Sequence, residues 1–470
     1  MVFSSLSFLI VFVPILAVFF FIIPAKIKNA RQYVLLAFSL LFYGSGESLY
    51  IFLIAICILI SWCLSKYVNK QCKWALVLSI LINVIPLVVT KYSEFIIINI
   101  CRLFGETSIV FPNIVMPIGI SFYTFQVITY IVDLYNNKVE RQKNLLLFAL
   151  YIMFFPQLIA GPIVKYSEVV RELENPDVTW DNIKYGTGRF IRGIGKKVLI
   201  ANQVGYITSS IQGCGIDSLS TGMAWLCVIA YTIQIYFDFS GYSEMAIGLG
   251  AIFGFHFPEN FNDPYASRSV SEFWRRWHIT LGRFFREYIY IPLGGNRVKK
   301  TRWIINIFIV WMLTGLWHGG SWNYVIWGLY YGVLLIIERI TGIEKKLPKA
   351  ISWIVTQFFV SLGWGIFMCD KVSVYEIMKF LAKLLFISDS ITNTVTIGSL
   401  NLWGYIPFLV IGVFLSSPLW VAVIRTKLGE YQRADSVTGA VSDIYLIIIL
   451  LVALMFLMGG TYNPFIYFRF

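Results

Sequence analysis

Long apolar runs recur along the whole of this chain, and nothing else in it limits the possible folds so strongly. They cover roughly 6–23, 33–43, 49–65, 74–90, 114–132, 145–163, 222–254, 303–318, 321–341, 351–369, 401–424 and 441–458. A helix crossing the hydrocarbon core needs about 20 apolar residues, and several runs reach that length. Composition points the same way, with 58% of the 470 residues hydrophobic and 13% charged. Soluble domains carry about a quarter charged residues. The expected fold class is all-α integral membrane, with about eleven to thirteen spans. No repeat, low-complexity segment or linker divides the chain, so residues 1–470 are expected to form one multi-pass domain in the plasma membrane. Short stretches such as Phe111-Pro-Asn-Ile-Val-Met-Pro117 read as re-entrant. Irregular backbone at that depth must lie inside protein or along a wet cavity.

The opening run to Ile23 has no basic residues ahead of it and no small-residue cleavage site. It therefore reads as a first span and not as a removed leader. Basic clusters set the orientation. Lys26, Lys28 and Arg31 form one, Lys66, Lys70 and Lys73 a second, Arg297, Lys299, Lys300 and Arg302 a third, and Arg425, Lys427 and Arg433 a fourth. Positive charge stays cytoplasmic, which puts the N-terminus and the tail 459–470 outside. The formal charge of +13 belongs to these loops. No basic run stands outside the apolar segments, so the expected surroundings are membrane lipid and not nucleic acid. Aromatics at 17% suit interfacial belts. The seven cysteines are scattered without a CxxC pair, and the three histidines lie far apart without a carboxylate cluster. Neither a disulfide framework nor a metal site is expected.

The stretch Val310-Trp-Met-Leu-Thr-Gly-Leu-Trp-His-Gly-Gly-Ser-Trp-Asn323 closes one apolar run with a histidine. The run follows Arg302 on the expected cytoplasmic side, and about sixteen helical residues rise about 24 Å, so His318 should lie deep. An ionisable group at that depth is costly unless paired or facing a cavity, which makes it a functional candidate. A neutral imidazole there can take a proton from an attacking hydroxyl. The competing role is a histidine that hydrogen-bonds two helices together. Gly319 and Gly320 either end the helix or admit a close neighbour. Asn323 is a supporting polar group in the same stretch.

Ser269-Val-Ser-Glu272 has capping-box spacing. After it, Phe273, Trp277, Leu281, Phe284 and Tyr288 recur every three or four residues, with Arg275, Arg276, Arg283 and Arg286 among them. This pattern predicts a basic amphipathic helix at the cytoplasmic interface. His278 lies on it, where an amphipathic residue at headgroup level is as good a reading as a functional one. His256, between Phe255 and Phe257, has nothing beside it that chemistry needs. Asp238 and Glu244 sit inside an apolar run and should face the interior, to orient a histidine or to pair with Arg275 or Arg276. A P-loop, a Gly-x-Ser-x-Gly elbow and a dinucleotide fingerprint are all absent from the sequence.

Five motifs stand in order: Phe239-Ser-Gly-Tyr-Ser-Glu-Met-Ala-Ile-Gly-Leu-Gly250, Pro258-Glu-Asn-Phe-Asn262, Glu272-Phe-Trp-Arg-Arg-Trp-His278, Tyr290-Ile-Pro-Leu-Gly-Gly-Asn-Arg297 and Leu313-Thr-Gly-Leu-Trp-His-Gly319. The series resembles the membrane-bound O-acyltransferase (MBOAT) family. It is most similar to the bacterial branch that O-acetylates alginate, peptidoglycan and other envelope polysaccharides. Phe154-Phe-Pro-Gln-Leu-Ile-Ala-Gly-Pro162 and the closing Asn463-Pro-Phe-Ile-Tyr-Phe-Arg-Phe470 fit that branch too. The resemblance implies a ring of tilted helices around a central funnel. It implies His318 as the catalytic histidine and His278 as the second polar residue of the family's pair, helping to position the reacting carbonyl. The implied donor is a cytoplasmic thioester, acetyl-CoA, with no permanently bound cofactor. The implied partner is an extracytoplasmic SGNH hydrolase-like acetyltransferase that passes acetyl to a polysaccharide acceptor.

A phosphate-bearing donor needs positive charge, which assigns donor binding to Arg275 and Arg276 beside Trp274 and Trp277. Tyr467 lies in the tail expected outside, where acetyl must emerge. A phenol, with a pKa of about 10, forms an ester only modestly less activated than that of a thiol at about 8.5. Tyr467 is therefore expected to relay acetyl onward, as the matching tail motif of the family implies; the plainer role is an interfacial anchor. Two other functions compete. One is D-alanyl transfer towards teichoic acid, whose branch carries its aromatic tail motif on a separate peptide. The other is a polysaccharide or lipid-linked sugar transporter without chemistry of its own.

Overall fold

A computed structural model describes residues 2–24, 26–105, 114–370, 372–387, 395–421, 436–460 and 465–466. The described residues are helical with irregular connections, and no strand occurs among them. Helices Lys73–Leu103, Thr221–Ile252, Trp322–Thr341 and Lys349–Phe367 are long and apolar enough to cross a membrane. Ser7–Ile22, Tyr50–Ser65, Ile406–Ser416 and Asp443–Met458 are shorter apolar helices. Large apolar side chains such as Leu41, Ile56 and Met455 are exposed, as a lipid-facing surface requires. The chain is an all-α integral membrane protein. It packs as two compact units, residues 1–190 with 242–259, and residues 191–241 with 260–470.

In the first unit, Lys73–Leu103 carries Pro86 within it. A proline has no N–H to give the carbonyl four residues back, and in lipid no water replaces it. That carbonyl belongs to Ile82, and the Cys57 thiol of helix Tyr50–Ser65 points at it from 3.8 Å. At the next residue, Asn83 donates to Ser61 Oγ at 2.9 Å and to the Ser79 carbonyl at 2.8 Å. Thr124 of helix Ile120–Tyr135 donates to the Asn83 carbonyl at 3.3 Å. Polar contacts thus join three helices where the proline weakens one. Phe3, Phe8, Phe12, Phe42 and Phe155 pack edge and face together, and Phe3 stacks on Tyr242 at 4.5 Å. Phe3 therefore ties the opening segment to the 242–259 part of this unit.

The second unit holds both candidate histidines. Its tightest helix pair is Lys300–His318 against Trp322–Thr341. Gly315 and Gly328 face each other across that pair, and a Cβ on either would collide with backbone of the opposite helix, at Tyr324 or Trp311. Small residues let membrane helices approach closely where no hydrophobic effect drives them together. The loop after Tyr290 is held to the same pair, because Asn306 donates to the carbonyls of Leu293 at 3.1 Å and Gly295 at 3.3 Å.

Candidate active site

The expected amphipathic helix over 273–288 is divided. Ser269 caps the helix Val270–Arg276 by accepting from Glu272 N–H at 3.0 Å, as the capping-box spacing predicts. The half-buried Glu272 in turn accepts from Arg268 N–H at 2.9 Å. A second carboxylate closes this helix end, since Glu338 accepts from Val270 N–H at 2.7 Å and Ser271 N–H at 3.0 Å. The helix then stops. Trp277 is extended, and His278 takes a left-handed conformation with φ 45° and ψ 53°. A new helix runs over Ile279–Phe285. Left-handed backbone costs a non-glycine residue about 1–2 kcal/mol, so neighbours must hold it. They come from the Pro258–Asn262 motif: Asn262 N–H donates to the Arg276 carbonyl and Ile279 N–H to the Asn260 carbonyl, each at 2.9 Å.

The break turns His278 inward. Its side chain is 2% exposed. Its Nδ1 lies 3.1 Å from Asn260 Oδ1. Phe239 packs edge-on at 4.7 Å, and Trp317 lies at 5.7 Å. Burial pushes its pKa down to about 3, so the ring is neutral at physiological pH. Nε2 is buried and has no hydrogen-bond partner among the described residues.

His318 is the last residue of helix Lys300–His318, whose 19 residues rise about 28 Å. It is 4% exposed. Trp317 at 4.8 Å, Phe367 at 4.9 Å, Trp327 at 5.1 Å and Tyr324 at 6.3 Å surround the ring. Trp317 touches both histidines, so the two imidazoles share one aromatic wall. A Cβ on Gly319 would run into the Tyr324 ring, which names the close neighbour its missing side chain admits. Asn323 is fully buried and donates to the Phe367 carbonyl at 2.9 Å, fixing the helix end whose ring packs on His318.

The other expected residues fall in several places. Trp274 packs on Trp311 at 4.7 Å, Tyr331 at 4.8 Å and Trp327 at 5.4 Å, so it backs Trp327, one of the rings around His318. Trp277 is buried against Trp364 at 4.7 Å. Arg275 is exposed. Arg276 pairs with Glu272 at 2.8 Å and reaches the Asn262 carbonyl at 3.4 Å. Asp238, expected beside Arg275 or Arg276 or orienting a histidine, pairs instead with Lys197 at 2.6 Å, and both side chains are 2% exposed. The reason is Gly241, three residues on. Its bare Cα lets the π-helical turn Lys196–Ala201 pass close by, and a Cβ there would meet Gly193 O at 2.9 Å and Lys197 N at 3.2 Å.

Asp238 also accepts from Ile466 N–H at 2.8 Å, while Phe465 lies over the Lys197 ammonium at 5.8 Å. The tail just before Tyr467 is therefore buried, and Tyr467 itself lies outside the described residues. Glu244 belongs to the first unit, near Arg189. Burial works against the Arg189 charge. Its hydrogen bond to Glu259 and the charges of Glu244 and Glu259 more than offset that. His256 is an exposed partner of Glu172 at 2.7 Å. Among the described residues no three His, Cys, Asp or Glu side chains converge as metal ligands do.

Two residues of this arrangement carry only weak marks in the sequence, too weak to assign them a role. Asn260 looks like a turn residue, though its place between two aromatic segments was a signal. Lys197, at the end of Gly193-Ile-Gly-Lys-Lys197, is a cation entering an apolar run and needs a buried anion.

Residues 136–378 match the membrane-bound O-acyltransferase family, MBOAT. The probable alginate O-acetylase AlgI of Azotobacter vinelandii is 33% identical over 507 aligned positions, spanning 100% of both chains. The peptidoglycan O-acetyltransferase of Helicobacter pylori is 34% identical over 428, covering 82% of this chain and 80% of its own. The teichoic acid D-alanyltransferase of Bacillus subtilis is 29% identical over 279, covering 54% of this chain and 69% of its own. A buried histidine pair within the matched residues, on a helical membrane scaffold related end to end to an O-acetylase, leaves one assignment: the chain belongs to the membrane-bound O-acyltransferase family and is an acyltransferase.

Proposed function

We propose that this enzyme takes an acetyl group from cytoplasmic acetyl-CoA and delivers it across the membrane for O-acetylation of an envelope or exported polysaccharide. His318 carries the reading: a buried imidazole at the end of an apolar helix, sharing an aromatic wall with a second buried histidine. His318 is the general base. It takes the proton of the Tyr467 hydroxyl as that oxygen attacks the thioester carbonyl; the C–S bond breaks, and the thiolate leaves and regains the proton. The acetyl-tyrosine ester then passes its acyl group to a serine of an extracytoplasmic SGNH hydrolase-like partner, which acetylates the polymer. The two most similar relatives described above, an alginate and a peptidoglycan O-acetylase, support the acyl group and the acceptor class. The buried segment 465–466 supports a tail that enters the protein. Basic loops support a cytoplasmic donor side with both termini outside.

The D-alanyl alternative rests on a relative matching 54% of this chain and lacking the full-length match. Purified protein given labelled acetyl-CoA, or D-alanyl carrier protein, separates the readings. Thioester cleavage of acetyl-CoA that falls about 100- to 10,000-fold in His318→Ala, a general-base loss, is the expected result. Cleavage of the D-alanyl donor alone would transfer the enzyme to the other branch. Cleavage of neither would favour transport.

A further inference from the structure

Asn260 is fully buried, and its side-chain oxygen meets three groups at once: Thr280 N–H at 3.3 Å, Thr280 Oγ1 at 2.9 Å and His278 Nδ1 at 3.1 Å. A backbone N–H can only donate. The Asn260 atom facing it must be the carbonyl oxygen, because a reversed amide would set two donors against each other. The same oxygen faces Nδ1, so Nδ1 must carry the hydrogen. A neutral imidazole has only one N–H. Nε2 is then a bare lone pair, and it is this atom that is buried without a hydrogen-bond partner among the described residues. The ring cannot turn over freely, since Phe239 packs edge-on against it and Trp317 lies on its wall. The Asn260 backbone is committed as well, its carbonyl accepting from Ile279 N–H at 2.9 Å.

We propose that Asn260 is a positioning residue that locks His278 in the Nδ1–H tautomer, so that Nε2 accepts a hydrogen bond from an O–H or N–H of the bound reactants. The role in catalysis rests on the reading that His278 borders the reacting groups; the tautomer does not. One consequence reverses the expectation drawn from the family resemblance. A neutral His278 held this way has no hydrogen on Nε2 to give to a thioester carbonyl. It orients a proton-bearing group and does not act as the donor that stabilises the oxyanion. Low basicity from burial keeps the ring in that neutral state.

With three histidines in the chain, ring-¹⁵N NMR of histidine-labelled full-length protein in nanodiscs can read each tautomer, assigned with His256→Gln and His318→Gln. The expected result is a single Nδ1–H species for His278. A single Nε2–H species or a protonated ring overturns the proposal without any variant at Asn260. Asn260→Ala is expected to give mixed tautomers. It should lower kcat for acetyl-CoA cleavage about 10- to 100-fold, by analogy with metal-bound histidines that lose their outer hydrogen-bond partner, with KM little changed. Asn260→Asp keeps the accepting oxygen and is expected to restore both the tautomer and most of the rate. Retention of pure Nδ1–H in Asn260→Ala would show that the clamp is not the cause. A kcat for that variant equal to wild type would remove the positioning role while leaving the tautomer standing. A wild-type enzyme that cleaves no acetyl-CoA would instead sink the acetyl-transfer reading and leave the tautomer to be read on its own.

Discussion

Arg275 and Arg276 stand side by side, yet the structure commits them differently. Arg276 is tied to Glu272 and to the Asn262 carbonyl, while Arg275 is exposed. Removing Arg276 frees a carboxylate and loosens the turn that carries His278, so its loss mixes binding with structure. Arg275→Ala is the cleaner probe. If a phosphate of the donor meets this face, KM for acetyl-CoA should rise about tenfold, roughly the worth of one charge-assisted contact, with kcat nearly unchanged. Steady-state kinetics in detergent read the split, and an unaltered KM would place the donor elsewhere. At this scale the sequence showed the ionisable groups well and their partners badly. His318 and Asp238 stand out because each interrupts an apolar run. The partner of Asp238 does not, because Lys197 reaches it only where Gly241 lets two backbones approach. That approach is a property of the packed helices and leaves no periodic signal.

Helices here are set by two kinds of information, one local and one not. Apolar length marks most of them, and the Ser269–Glu272 spacing marks a true helix start. The break at His278 is invisible in the pattern, because the apolar positions on either side continue a helical period through it. Hydrogen bonds with Asn260 and Asn262 impose it from outside the segment. The pairing of Lys300–His318 with Trp322–Thr341 is likewise written in single glycines and not in hydropathy. Gly315→Ala should be badly tolerated, since its methyl group would strike the Tyr324 carbonyl, a backbone atom that cannot turn aside. Overpacking costs about 1–3 kcal/mol even where side chains can yield. Gly282→Ala is the control. A Cβ there meets its nearest neighbour outside its own helix, the Trp274 carbonyl, at 3.8 Å, an ordinary contact. Thermal unfolding in detergent should show a lowered Tm for Gly315→Ala and none for Gly282→Ala. Equal melting of the two would mean that the helix pair is looser than this packing implies.

Over the whole molecule, the proposed function requires an acyl group from a cytoplasmic donor to become available on the other face, so some group of the chain would have to carry or expose it there. The distribution of basic loops supports the proposed placing of the tail outside. Its roughly dozen residues after the last helix reach up to about 40 Å when extended, far enough to bring a side chain back inside. The described part of that tail does turn inward: Phe465 and Ile466 are buried, one over Lys197 and the other bonded to Asp238. An interfacial anchor needs no such attachment to a buried ion pair. It would lie among the headgroups with its rings half exposed. The next residue is Tyr467, whose phenol, with a pKa of about 10, can take acetyl from a thiol of about 8.5 and still yield it to a serine. Tyr467→Phe keeps the ring and removes only the hydroxyl oxygen proposed as nucleophile. Cells carrying this variant at wild-type membrane levels should lose polymer O-acetylation about as completely as those carrying His318→Ala, where loss of the proposed general base is expected to cost about 100-fold or more. Normal acetylation by Tyr467→Phe would instead make the tail an anchor, and acetyl would have to pass directly from the donor to the outer partner.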